Sequence, residues 1–358
     1  MPYLEYSLGA LGACLCAWFL VALWIRVSVR ARIVDVPNAR SSHVKETPRG
    51  GGVGIVATVV PGMAAVLASG RAGDLEGALW AGGLAVFIAI ISFIDDVRSL
   101  PSLVRLVCQI GAAALAVWAL GAFPAATLPF LDPLILPRWF MAVVTVVWIV
   151  GLTNVYNFMD GIDGIAGGQG FVTGLAWAWF GAVTGVPLVA WAGVIIAAAC
   201  LGFLFHNWSL AKVFMGDVGS AFLGFVFAVL PLLALHVRTQ VAGWSLLFIG
   251  AVPVFAALAV WPFIGDGVFT FLRRLKHREN VLAAHRSHLY QRLTIAGWPH
   301  ATVSRFYIWW AAGCALCGVV YLKTGHAGRL VALAACALSV IAVYGIVKRA
   351  EAGKRPQP

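Results

Sequence analysis

Asn154 to Gly164, NVYNFMDGIDG, places two carboxamides and two carboxylates at the end of a strongly apolar segment. An ionised side chain at membrane depth costs roughly 2.5–3.5 kcal/mol on insertion scales, so polar groups there point to function. Asn154, Asn157, Asp160 and Asp163 recur every third residue and stay near one face of a helical turn, while Gly161 and Gly164 let the chain turn afterwards. Amide and carboxylate on one face suit ribose, base or metal-water contacts. The bland alternative is a cap-and-turn cluster.

The surrounding chain is 61% hydrophobic and 11% charged over 358 residues, more apolar surface than a soluble core can hide. We read an all-α, polytopic transmembrane helical bundle. Windows of spanning length lie near 7–26, 50–69, 78–94, 103–122, 139–157, 165–184, 188–206, 218–236, 243–262, 303–322 and 328–347, about eleven helices. The 243–270 region reads equally as one long helix or a broken one. The first run lacks a basic flank and a small-residue cleavage site, so it is expected to be a retained anchor. Residues 1–347 form one integral-membrane domain in this reading. Residues 348–358 form a basic, mobile, non-catalytic tail.

Alternate loops carry twenty Lys and Arg on one side and five on the other. By the positive-inside rule the N-terminus lies outside and the C-terminus in the cytoplasm. The net charge of +11 follows from this bias and from contact with anionic headgroups, and no basic stripe calls for nucleic acid. All seven cysteines fall in apolar stretches, so the Cys314/Cys317 pair reads as helix packing.

The same parity puts every acidic cluster on the cytoplasmic face. Asp95 and Asp96 are adjacent, so on a helix they point about 100° apart and can divide labour. Arg105 and Gln109 share a face just beyond and can support them. MGDVGS, Met215 to Ser220, sets Asp217 between glycines at a helix start, where free N–H groups attract anions and one carboxylate can hold Mg²⁺, with Mn²⁺ as substitute. An aspartate helix cap is the plainer reading of Asp217. DVPNARSSHVKETPRGGGVGI, Asp35 to Ile55, offers Lys45 and Arg49 beside Gly50–Gly52 for diphosphate contact. The long polar loop carries Asp266 and then His285 and His288, which suit phosphate hydrogen bonds better than zinc.

In this order these motifs resemble the polyprenyl-phosphate N-acetylhexosamine-1-phosphate transferases, the superfamily that includes the phospho-N-acetylmuramoyl-pentapeptide transferases. The resemblance runs from about Asp35 to Arg292, and PNARSSH…TPRGGG looks more like its glycan-initiating, O-antigen branch. Two departures from the cell-wall branch agree: Ser99 stands where many members have lysine, and Arg286 and Ser287 separate His285 from His288.

The resemblance implies attack by a phosphate oxygen of undecaprenyl phosphate on the β-phosphate of a UDP-N-acetylhexosamine, releasing UMP. It implies Mg²⁺ on Asp217 and Asp95, with Asp95 or Asp96 readying the lipid phosphate. Asn154, Asn157, Asp160, Asp163, Lys45, Arg49, Asp266, His285 and His288 would contact substrate. A homodimer is compatible with all of this. Two rivals remain. A CDP-alcohol phosphatidyltransferase is countered by Gly167–Gly168 where its motif has Ala-Arg. A transporter would set its charges at midplane rather than at one edge.

Overall fold

The computed structural model describes residues 2–35, 46–71, 73–126, 128–130, 136–239, 243–280 and 285–353. The order is α1 (Pro2–Arg30), a two-residue antiparallel ladder of β1 (Val34–Asp35) with β2 (Thr47–Pro48), then α2 (Gly52–Ala68), α3 (Leu75–Arg98), α4 (Ser102–Leu120), α5 (Arg138–Phe158), α6 (Ile165–Thr184), α7 (Pro187–Asn207) and α8 (Asp217–Thr239). The remainder is α9 (Leu246–Ile249), α10 (Val252–Ala259), α11 (Trp261–Lys276), α12 (Leu289–Ile295), α13 (His300–Lys323) and α14 (His326–Gly353).

Each of the eleven expected windows is helical. Among the described residues, eight helices are long and apolar enough to cross a membrane, and a ninth arises if the bent pair Leu246–Ala259 and Trp261–Lys276 is one span. Lys45 lies outside the described residues. The expectation of a mobile tail is corrected in part: α14 runs on to Gly353, and Glu351 forms a bidentate pair with Arg292 of α12 at 2.8 and 2.9 Å.

The helix count alone does not explain why the middle of the bundle is so tightly closed. α6 carries five glycines, two of which, Gly174 and Gly181, allow backbone contact with α7. A Cβ on Gly193 would stand 2.2 Å from Ala178 N and 2.6 Å from Gly174 O. Without a hydrophobic driving force between helices in lipid, such small-residue seams supply the close van der Waals packing that holds them.

The 76° bend between α10 and α11 has a local cause. Pro262 in the first turn of α11 has no N–H to continue the ladder. The Ala259 carbonyl at the break accepts from Gln169 Nε2 and Thr173 Oγ1, both at 3.0 Å, so α6 satisfies the backbone that the break exposes.

Gly193→Val should cost about 1–3 kcal/mol through overpacking, read as a lower thermal midpoint in detergent. Gly111→Ala in α4, where nothing lies within 4 Å of the added atom, should leave the midpoint unchanged or raise it. Equal effects of the two would show that the seam does not hold the bundle.

Candidate active site

Four chain segments meet at one end of the bundle: the end of α3, the start of α4, the end of α5 and the start of α8. Thr47–Gly52 is threaded beside them. Phe214 N donates to Pro48 O, and Gly51 N and Gly52 N donate to Phe214 O and Met215 O, all at 2.8 Å. Trp24 Nε1 donates to Arg49 O at 2.9 Å. Gly216 makes this docking possible: its φ is +75°, and a Cβ there would lie 2.7 Å from Asp96 Oδ2 and 2.9 Å from Gly50 N.

Asp217 is the centre. Its Oδ1 accepts from Arg49 Nη2 at 2.9 Å, and its Oδ2 accepts from Arg105 Nη1 at 3.0 Å and Asn157 Nδ2 at 3.2 Å. Arg105 Nη1 also reaches Asp95 Oδ2, and Arg49 Nε reaches Asp96 Oδ1 at 2.9 Å. Two guanidiniums thus lace three carboxylates from two helix ends. Arg105, foreseen only as support, is integral to the cluster.

The adjacent aspartates do divide their labour. Asp96 has a fully buried side chain, and its two oxygens accept from Asp217 N at 2.9 Å and Val218 N at 3.0 Å. It therefore caps α8, where the helix dipole favours a negative charge, and pairs with Arg49. Asp95 accepts from Leu100 N at 2.6 Å and faces Arg105 and Asp217.

The three-residue spacing after Asn154 brings only part of the set together. Each step of three falls short of a full turn by roughly 60°, so four such positions fan out across half the helix circumference, and α5 ends before the last two. Asn157 faces Asp217, and Ser220 Oγ donates to Asn157 Oδ1 at 2.9 Å, fixing the amide so that its nitrogen points to the carboxylate. Asn154 instead donates to Gln109 Oε1 at 2.6 Å on α4. Asp163 faces the start of α13, near His300 Nδ1 at 3.4 Å, and accepts from Ala211 N at 3.3 Å. Neither Asn154 nor Asp163 is hydrogen-bonded to the cluster; they tie neighbouring helices together. The fixed place of Ser220 in the GDVGS run, one turn after Gly216, was the signal that could have marked it.

Asp160 sits half-buried just past α5. Burial, and then the charge of Asp217, push its carboxyl up to about 8. Arg49 is held charged: burial opposes the charge, but Asp96, Asp217 and Asp35 outweigh it and raise its pKa above the ordinary value.

The histidines form a second group. Asp266 is 0% exposed and accepts from Thr270 Oγ1, His288 Nδ1, Leu289 N, Tyr290 N and Tyr307 Oη at 2.7–3.2 Å. A carboxylate so fully used positions His288 and the start of α12. His285 and His288, with ring centroids 5.0 Å apart, line a cavity of about 230 Å³ with Val155, Phe158, Phe271 and Arg274. Val155 lies nearly opposite Asn157 around α5. The histidine cavity and the carboxylate cluster therefore flank the end of α5 from two sides.

The donor chemistry of the cluster fits a hard divalent cation. Asp95 and Asp217 supply oxygens alone, and one or two carboxylates suffice for Mg²⁺. Among the described residues no group of three His, Cys, Asp or Glu side chains is placed to enclose a metal, so the remaining ligands would come from substrate or water.

Residues 78–235 match glycosyl transferase family 4. The "Probable undecaprenyl-phosphate N-acetylglucosaminyl 1-phosphate transferase" of Bacillus subtilis is 33% identical over 276 residues, covering 77% of this chain and 73% of that protein. The decaprenyl-phosphate N-acetylglucosaminephosphotransferase of Mycolicibacterium smegmatis is 30% identical over 383 residues, 99% of this chain and 91% of its own. The phospho-N-acetylmuramoyl-pentapeptide-transferase of Symbiobacterium thermophilum is 32% identical over 314 residues, 82% and 87% respectively. The chain belongs to the polyprenyl-phosphate N-acetylhexosamine-1-phosphate transferase superfamily, whose members are membrane phosphotransferases.

The raised Asp160 carboxyl makes a signed prediction. The folded chain keeps a proton that the unfolded chain releases near an ordinary carboxylate pKa of roughly 4, so stability from that proton is complete below about pH 4 and is lost as pH rises to about 8. The thermal midpoint of Asp160→Asn relative to wild type should rise steadily across that window. Parallel curves would remove the assignment. Ser220→Ala should lower turnover by about tenfold, the scale of one lost hydrogen bond to a charged network, with the fold retained by circular dichroism.

Proposed function

We propose that this chain transfers an N-acetylhexosamine-1-phosphate from a UDP-sugar to undecaprenyl phosphate, giving a polyprenyl-diphospho-sugar and UMP. In this reading it starts an O-antigen or another cell-envelope polysaccharide, and works at the cytoplasmic face of the inner membrane. The observation that carries it is the gathering of Asp95, Asp217, Arg49, Arg105 and Asn157 at one end of a bundle whose helices are otherwise apolar. Relatives named for prenyl-phosphate acceptors and N-acetylglucosamine support the acceptor class and make that sugar the first to test.

Phosphoryl transfer asks for positioning and charge neutralisation more than for covalent chemistry. Arg49 and Arg105 bring two positive charges to the place where a diphosphate would lie. Asn157, locked by Ser220, keeps Asp217 turned toward them. Asp217 and Asp95 would hold Mg²⁺, which when bound would neutralise charge on the diphosphate. A lipid phosphate is already ionised at neutral pH, so the nucleophile needs orientation more than a base, and direct transfer suffices. His288, held by Asp266, and His285 offer imidazole groups on the far side of α5 for the nucleotide's phosphates. The cluster lies at a helix end, where a soluble nucleotide and a lipid headgroup can meet.

The test is UMP release by the purified chain with undecaprenyl phosphate, Mg²⁺ and a panel of UDP-N-acetylhexosamines. Lipid- and Mg²⁺-dependent UMP is expected, and Asp217→Asn should lower it by at least about a hundredfold, as for loss of a main transition-state electrostatic contact. UDP-sugar binding without UMP would favour a transporter instead. Wild-type turnover in Asp217→Asn would end the metal assignment.

A further inference from the structure

Asp217 carries a guanidinium on each oxygen, but the two are not held alike. Arg49 makes separate contacts through Nη2 and Nε, to Asp217 and Asp96 at 2.9 Å each. Its backbone is fixed as well: Trp24 donates to its carbonyl, and its own N–H donates to Ile33 O at 3.1 Å. Both ion pairs of Arg105, to Asp95 Oδ2 and Asp217 Oδ2, run through the single nitrogen Nη1. Its side chain is 34% exposed and springs from the first turn of α4. A guanidinium carries five N–H donors on a flexible stem, and its planar fork matches a phosphate better than it matches two carboxylates bridged by one nitrogen.

Arg105 Nη1 occupies the oxygens of Asp95 and Asp217, so a divalent cation held by these two carboxylates would compete with it. Three carboxylates against two guanidiniums leave one formal negative charge. A divalent cation added beside both arginines would overshoot neutrality, and an arriving diphosphate would restore it. Arg49 is tied to buried Asp96 and to the cap of α8, so it is not the group that yields.

We propose that Arg105 is an exchangeable stand-in cation. It neutralises Asp95 and Asp217 until Mg²⁺ arrives with the nucleotide sugar, and then turns its fork to the diphosphate. This rests on the transferase reading above and deepens it, by assigning Arg105 to the nucleoside diphosphate rather than to the fold.

The test uses the full chain in detergent, with Mn²⁺ followed by electron paramagnetic resonance and inorganic pyrophosphate as the phosphate probe. Arg105→Gln should bind Mn²⁺ alone about fivefold more tightly than wild type, the scale of one partly exposed ion pair removed as competitor. At saturating Mn²⁺ the same variant should bind pyrophosphate at least about tenfold more weakly, since a charge-assisted contact is lost. Arg105→Lys keeps the charge without the fork. It should bind Mn²⁺ like wild type and pyrophosphate more weakly, and it carries the test if the glutamine variant does not fold. Tighter Mn²⁺ with unchanged pyrophosphate in Arg105→Gln would mean a fixed charge and overturn the exchange. Unchanged Mn²⁺ affinity would overturn the stand-in. With UMP release intact, either result would leave the transferase reading standing, whereas a wild-type chain that binds no Mn²⁺ would remove the metal assignment and this inference together.

Discussion

The structure of this site depends on one carboxylate shared by two guanidiniums. Asp217 begins α8, Asp96 caps it from α3, Arg49 reaches in from the segment before α2, and Arg105 from α4. No one of these charges is affordable alone at the edge of an apolar bundle. Removing one partner of a buried pair strands the other, at several kcal/mol, whereas the complete set is close to neutral. The network, together with the backbone hydrogen bonds between Pro48–Gly52 and Phe214–Met215, fixes the relative positions of these four elements. It also leaves a concentrated field at the place where a diphosphate would arrive.

Around that centre the fold uses polar groups sparingly and each for a stated purpose. Gln169 and Thr173 satisfy a carbonyl that the bent pair would otherwise leave bare. Asp266 gathers the start of α12 and orients His288. Ser220 aims Asn157. Glu351 ties the last helix to Arg292, so the histidine arm is braced from two directions. Of these, Asp266 reads in sequence as a substrate contact. In the structure their hydrogen bonds go to the protein itself.

Much of this was legible beforehand, for physical reasons that can be named. Apolar windows of spanning length identify helices without help from tertiary structure: ten of the eleven each fold as one helix, and the 243–262 window folds as α9, α10 and the start of α11. Loop parity put Asp95, Asp217 and Asn157 on one side of the bundle, and the structure gathers these three at one end of it. The local aim of each side chain was not legible. Spacing of three places residues near one face only for a turn or so, which is why Asn157 met the cluster while Asn154 turned to Gln109 and Asp163 to α13. Adjacency told that Asp95 and Asp96 diverge, but not which would cap α8, since that depends on where α8 begins relative to α3. The fivefold use of Asp266 was invisible for the same reason: four of its donors lie 22 or more residues away along the chain.

The sequence separations inside the ion network also set an order of assembly during synthesis. Arg105 is ten residues from Asp95, and Arg49 is 47 from Asp96, so these pairs can form as soon as α3 and α4 are inserted. Asp217 is 112 residues beyond Arg105. At ribosomal rates of about 5–20 residues per second it is made roughly 6–22 seconds later. Through that interval each arginine has one carboxylate and each carboxylate one arginine, an even match that lets the early helices rest in the bilayer. The arrival of Asp217 then upsets that balance by one negative charge, and the ion network is complete only when the eighth helix joins it.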